Sequence, residues 1–283
     1  MNQERIHLVI IDPQNDFCDL PAARRPPGAA PALPVTGADA DMQRLATFID
    51  AAGDSLTDIS VTLDSHQHLD IAHPTFWQTG DGKPIGPFTQ ITAADVRAGR
   101  YLPRMGDALP RVIDYLDQLE ANGRYTHMVW PVHCEIGTWG HNVHAEVLAA
   151  CNRWETATLR SVEKVVKGMN PWTEHFSAIR AEVPDPTDAG TEDNAAYIAR
   201  LREADRILVA GEAGSHCVKA TVEHIVEHLG AGRLTLLADC MSPVTGFEAN
   251  YQAFIAAMHT AGATISSSTA VLPSLQRASA PVE

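Results

Sequence analysis

The chain has 283 residues, 45% of them hydrophobic, long enough for one large α/β domain that buries its core without disulfides. Its 35 acidic and 21 basic residues leave a formal charge of −14, which argues against a nucleic acid or an anionic membrane surface as partner. Five cysteines, odd in number, widely spaced and without a CxxC pair, fit reduced thiols in a cytoplasm.

The first apolar run, Ile6–Ile11, reads as a buried strand and is far too short for a membrane span. No signal peptide is visible, so a soluble cytoplasmic protein is expected. The strand runs into Asp12-Pro-Gln-Asn-Asp16. An acidic residue at the carboxyl end of an open parallel sheet points into the crevice where ligands bind, so Asp12 can orient or deprotonate a nucleophile. Asp16 reads equally as a turn cap. Pro21–Pro34 is Pro- and Ala-rich and is expected to be a loop. A helix over Asp41–Ala52 follows, then a second strand, Asp58–Leu63.

That strand ends in Asp64-Ser-His66, where period-two alternation sets both side chains on one side. Gln78–Tyr125 then breaks the strand–helix alternation. It is Gly/Pro-rich at first and helix-like over Leu109–Ala121, and a segment this long inside a domain is usually functional or at an interface. A third strand is predicted at Thr126–Trp130, delivering His133 to the same sheet edge. Asp64, His66 and His133, with room for waters, suit a divalent ion: zinc, manganese or iron. His73 and His68 are possible further ligands.

The remaining predicted helices are Val143–Cys151, Asn194–Ala204, Val218–Leu229 and Phe247–Ala261. The remaining strands are Val162–Val166, Arg206–Ala210 and Leu234–Ala238, with a possible last one at Ala263–Ser266. Alternation with nearly all-apolar strands predicts a three-layer αβα sandwich on a mostly parallel sheet of about six strands. Lys167, before Gly168, is placed to face the crevice, with Lys164 the weaker candidate. In Gly211-Glu-Ala-Gly-Ser-His-Cys217 a strand meets a tight turn and a helix, so Cys217 sits at the positive end of a helix, where thiolate is favoured. His224 and His228, beside Glu223 and Glu227, read as a solvated helix face, and Cys18, Cys151 and Cys240 as buried or incidental.

Together these segments resemble the isochorismatase-like cysteine hydrolases, most closely the nicotinamidase/pyrazinamidase branch. The matching stretches are Ile11–Phe17, Thr62–His66, Trp130–Thr138, Val166–Gly168 and Gly211–Thr221, in the family's order. The resemblance implies a single cysteine hydrolase domain over residues 1–283, with insertions at about 18–40 and 78–125 outside it. It implies Cys217 as nucleophile, Asp12 as the acid/base that takes its proton, and Lys167 as the cation beside the thiolate. It further implies a metal on Asp64, His66, His133 and, in some relatives, His73, anchoring a pyridine nitrogen. A cis peptide is expected at Glu212–Ala213, with the N–H groups of Ala213 and Cys217 forming an oxyanion hole. Phe17, Trp130 and His216 match positions lining an aromatic pocket.

The implied reaction is hydrolysis of nicotinamide to nicotinate and ammonia through a thioester, in a homo-oligomeric enzyme. A related amidohydrolase on another small amide, or a non-catalytic binding module of the same fold, are the rival readings. Pro13 and Glu212 depart from the usual pattern, and Glu212 is expected to meet a nearby cation.

Overall fold

The structure, a computed structural model, describes residues 4–278. Its strands are β1 (Ile6–Ile11), β2 (Asp58–Asp64), β3 (Trp77–Thr79), β4 (Thr89–Gln90), β5 (Tyr101–Pro103), β6 (Met128–Val129), β7 (Glu163–Lys167), β8 (Arg206–Gly211), β9 (Leu234–Leu237) and β10 (Thr264–Ser266). Its helices are α1 (Ala38–Ala52), α2 (Ala93–Arg97), α3 (Leu109–Asn122), α4 (Ala145–Thr158), α5 (Ala195–Arg202), α6 (Cys217–Leu229), α7 (Glu248–Thr260) and α8 (Ser268–Ala278). None of the helices described is long and apolar enough to cross a membrane.

Six strands form one parallel sheet in the order β10-β9-β8-β1-β2-β7. β1 is buried along its whole length, because its two faces enter different cores. Val9 and Ile11 join the cluster of α5, α6 and α7 (Tyr197, Val222, Phe254), while Leu8 and Ile10 join that of α1, α4 and α8 (Leu45, Trp154, Leu275). This is the period-two alternation of a strand covered on both sides. From β1 the chain moves one way to β2 and β7, and from β8 the other way to β9 and β10. The switch point therefore lies between β1 and β8, where Ile11 is level with Gly211.

The predicted strand at Thr126–Trp130 is not in this sheet. Only Met128 and Val129 are extended, pairing antiparallel with Thr89 and Gln90. The reason lies in the run itself: His127 packs its ring on Trp77 and Tyr115 instead of supplying an apolar sheet residue. The sixth place goes to β10, the run read as a possible last strand. α1 begins at Ala38, before Asp41, and α4 continues past Cys151 to Thr158 because buried Trp154 extends its apolar face.

Residues 78–125 hold a third apolar cluster, separate from the two flanking the sheet. Val96 of α2 and Val112, Leu116 and Leu119 of α3 pack there with Ile91 and with Phe76 and Trp77.

Candidate active site

Three chain segments meet at the carboxyl edge of the sheet. Asp12 follows β1, Lys167 ends β7 and Cys217 opens α6 directly after the β8 turn. The crossing of β1 and β8 is close: a Cβ on Gly211, whose φ is +119°, would lie 2.0 Å from the Ile11 carbonyl oxygen, so only glycine fits there. The Glu212–Ala213 peptide is cis, at the position expected.

Lys167 is the hub. Its Nζ lies 3.0 Å from Asp12 Oδ2, 2.9 Å from Asp64 Oδ1, 3.0 Å from the His175 carbonyl oxygen and 3.6 Å from Cys217 Sγ. All four side chains are buried. Thr62 Oγ1 donates to Asp12 Oδ1 at 2.5 Å and accepts from the Asp12 N–H at 3.0 Å, fixing the carboxylate. Burial opposes the Lys167 ammonium, but Asp12 and Asp64 outweigh it and hold its pKa well above the usual range. Burial likewise pushes Asp12 up, against the pull of Lys167.

The resting state of Cys217 differs from the sequence expectation. Burial pushes its thiol well up, Lys167 pulls it down, and Asp12 and Asp64 add to the rise. A helix terminus and one lysine do not offset complete desolvation beside two carboxylates. The sulfur is therefore a neutral thiol at rest and needs a base.

Beside this trio the His66, His73 and His133 rings converge, with ligand nitrogens within 4.8 Å of one another. Asp64 Oδ2 lies 3.0 Å from His66 Nε2 and 3.4 Å from His133 Nε2. Two of the rings are braced on their other nitrogen: His66 Nδ1 is 3.1 Å from Asp70 Oδ2, and His133 Nδ1 is 2.9 Å from the Pro131 carbonyl oxygen and 3.3 Å from His73 Nε2. Imidazoles aimed inward, with carboxylate or carbonyl partners behind them, fit a divalent cation. His133 arrives without the predicted sheet strand. The His66 N–H donates to the Cys134 carbonyl at 3.1 Å and the Ile136 N–H to the His66 carbonyl at 3.1 Å, lashing the two loops together. Gln14 clamps Asp64 in the same way, its side-chain amide bonding both the Asp64 N–H and carbonyl at 2.8 Å.

His68 stays out of the cluster, exposed and paired with Glu135 at 2.9 Å. Lys164 is exposed on β7 and takes no part. His224 is buried rather than solvated, because Arg124 and Glu223 cover that part of α6.

Above the sulfur, Phe17, Trp130 and His216 line a narrow cleft together with Ala213 and Cys217. Burial, with Lys219 adding, lowers His216 to about 4, so its imidazole is neutral. Sequence reading missed Leu33, Phe176, Val244 and Glu174 in the same wall. They come from irregular loops, where no periodicity marks a residue. Glu174 is buried and raised to about 7 by that burial, against the pull of His66.

Among the described residues Glu212 meets no cation. Its Oε2 accepts from the Ser242 N–H at 3.1 Å, and the carboxyl is otherwise pressed toward Asp41. Burial first, then Asp41, pushes its pKa well above the model-peptide value of 4.5. Below about pH 4.5 folded and unfolded chains both hold this proton; above it only the folded chain does. Stability thus falls by about 1.4 kcal/mol per pH unit until the folded pKa is passed. Glu212→Gln keeps the donor and acceptor without that slope. The variant is expected to gain in Tm over the parent from pH 5 to 8, and parallel Tm curves would refute the assignment.

Fold and site together describe a doubly wound α/β protein with a thiol, a lysine and a carboxylate at its switch crevice, flanked by an imidazole cluster. Among solved structures it is similar to a nicotinamidase/pyrazinamidase from Acinetobacter baumanii (18% identity, TM-score 0.62, 96% of this chain and 100% of that one). It is similar also to the yeast nicotinamidase Pnc1p (19%, TM-score 0.63, 92% and 99%) and to the Pyrococcus horikoshii pyrazinamidase in complex with zinc (18%, TM-score 0.52, 93% and 99%). The chain has the fold of these proteins over nearly its whole length. No family model and no curated protein matches it.

Proposed function

We propose that this protein is a metal-containing cysteine amidohydrolase that converts nicotinamide to nicotinate and ammonia. The observation that carries the reading is the placement of Lys167 Nζ between the Asp12 and Asp64 carboxylates and 3.6 Å from Cys217 Sγ. Nothing in the stability of a sheet edge calls for a buried thiol, lysine and two carboxylates together.

Asp12 takes the Cys217 proton as sulfur attacks the amide carbon. The oxyanion meets the N–H groups of Ala213 and Cys217, each worth roughly 3 kcal/mol in the transition state. As the C–N bond breaks, Asp12 returns the proton to the departing ammonia, leaving a thioester. Asp12 then deprotonates water, which attacks the thioester; the C–S bond breaks, the carboxylic acid leaves and the thiol is restored. Lys167 stays charged throughout and balances whichever neighbour is anionic. Asp64, His66, His133 and His73 would hold a divalent ion, zinc, manganese or iron, which when bound would supply a positive charge to anchor an aromatic ring nitrogen. Phe17, Trp130 and His216 sandwich the ring.

The reading includes a single catalytic domain with the two insertions, a cytoplasmic location and a homo-oligomeric state, with a small amide and neither nucleic acid nor membrane as partner. That a protein of this fold, the Pyrococcus horikoshii pyrazinamidase, forms a zinc complex supports the metal part of the reading.

Comparison of nicotinamide, pyrazinamide and benzamide tests the substrate. Nicotinamide and pyrazinamide carry a ring nitrogen and are expected to release ammonia. Benzamide, lacking it, should react roughly 10⁴-fold more slowly, and chelation should abolish the difference by slowing the first two. Equal rates for all three would remove the metal–pyridine anchor and leave an amidase for another small carboxamide.

A further inference from the structure

The segment from His66 to Trp77 has two sides. One carries His73 into the imidazole cluster, and Asp70, whose Oδ2 backs His66 at 3.1 Å and whose Oδ1 accepts from the Ala72 N–H at 2.9 Å. The other side belongs to the core of the 78–125 insertion: Ile71, Phe76 and Trp77 are buried there against residues of α2 and α3. Its backbone is tied to the same unit. Trp77 Nε1 donates to the Ile71 carbonyl at 2.7 Å, the Arg104 N–H to the Phe76 carbonyl at 2.8 Å, and Trp77 pairs with Pro103 across β3 and β5. The Trp130 N–H, one residue beyond β6, donates to the Ala72 carbonyl at 2.7 Å. His73 thus sits between Ala72, held by Trp130 just after β6, and Phe76, held by Arg104 just after β5. Neither sheet-flanking core includes Phe76 or Trp77, whereas Ala72, beside His73, packs in the core of α5, α6 and α7.

We propose that the 78–125 insertion is the scaffold of the metal site, so that its local folding and metal binding are linked. Leu116 of α3 and Trp77 are positioning residues: they act on the ion through the segment carrying Asp70 and His73. The proposal rests on the metal reading above. An ion that binds only when this segment is ordered stabilises the insertion by the same free energy with which the insertion favours the ion.

The test is zinc affinity by chelator competition on the full chain, for the parent, Leu116→Ala, and Ile49→Ala on α1. Leu116 and Ile49 are both fully buried, one in the insertion core and the other in the core of α1, α4 and α8. Leu116→Ala is expected to weaken zinc binding by about 10–100-fold, as loss of a ligand's outer support does, while Ile49→Ala lowers Tm without changing affinity. A second readout needs no variant: zinc should slow amide hydrogen exchange in α2 and α3 of the parent far more than in α1. Unchanged affinity in folded Leu116→Ala, equal losses in both variants, or zinc protection confined to residues 64–73 would each overturn the linkage. If Leu116→Ala fails to fold, the exchange comparison decides. Failure of the metal reading has its own signature: no zinc binding by the parent, and no change on His73→Ala.

Discussion

Cys217→Ala should abolish ammonia release from nicotinamide, lowering kcat by roughly 10⁴-fold or more, while leaving Tm within a few degrees of the parent. The two halves of this expectation have separate physical causes. Among the described residues of the cleft, the sulfur is the thiol nucleophile, with a carboxylate base and a cation beside it. Its removal leaves the oxyanion donors and the binding wall, which account for residual rate only. The fold should tolerate the change because alanine is the best helix former and Cys217 is the first residue of α6. The small void lies at a cleft rather than in a packed core. A stopped parent reaction should also carry a nicotinoyl group on Cys217 and on none of Cys18, Cys134, Cys151 or Cys240. A variant that retains a tenth of the parent rate would remove the sulfur from the mechanism.

How far the site could be read in advance follows from what kind of signal each residue leaves. Asp12, Lys167 and Cys217 end or follow apolar runs, and a parallel sheet collects such ends at one edge, so strand prediction alone brings them together. The fold class followed from the same alternation. His133 reached the site although its predicted strand is outside the sheet, since a loop bridge to His66 replaces strand pairing. Here the residue was placed correctly for a reason the structure does not contain. Glu174 and Phe176 left no trace because loop residues have no period. The charge state of Cys217 was read wrongly for a different reason. Helix position is visible in sequence, but desolvation depends on everything packed around the atom, and at this site desolvation is the larger effect. Glu212 teaches the same lesson: a charge was expected to find a cation, and burial beside Asp41 pushes its pKa up instead.

Lys167→Met should cost both activity and the fold, which separates it from the Cys217 variant. The Lys167 side chain is 1% exposed, and it is the cation that pairs with both Asp12 and Asp64. Methionine fills a similar volume, so the cost is not a cavity. What remains is Asp12 and Asp64 facing each other, with His66 on the far oxygen of Asp64 but no cation beside Asp12, and uncompensated buried charge of this kind costs about 3–5 kcal/mol. For a domain of this size that is a fall in Tm of roughly 10 °C. The measurement belongs on chelated protein, because an ion on Asp64 would supply part of the missing positive charge. Zinc should therefore restore more stability to the variant than to the parent. Ammonia release should be lost in either state, since no cation then balances the negative charge that passes between Asp12 and the Cys217 sulfur. A variant as stable as the parent would mean that the two carboxylates share a proton and do not depend on the lysine. The chemistry would then have to run with Asp12 neutral at rest, and the assignment of Asp12 as base would fall with it.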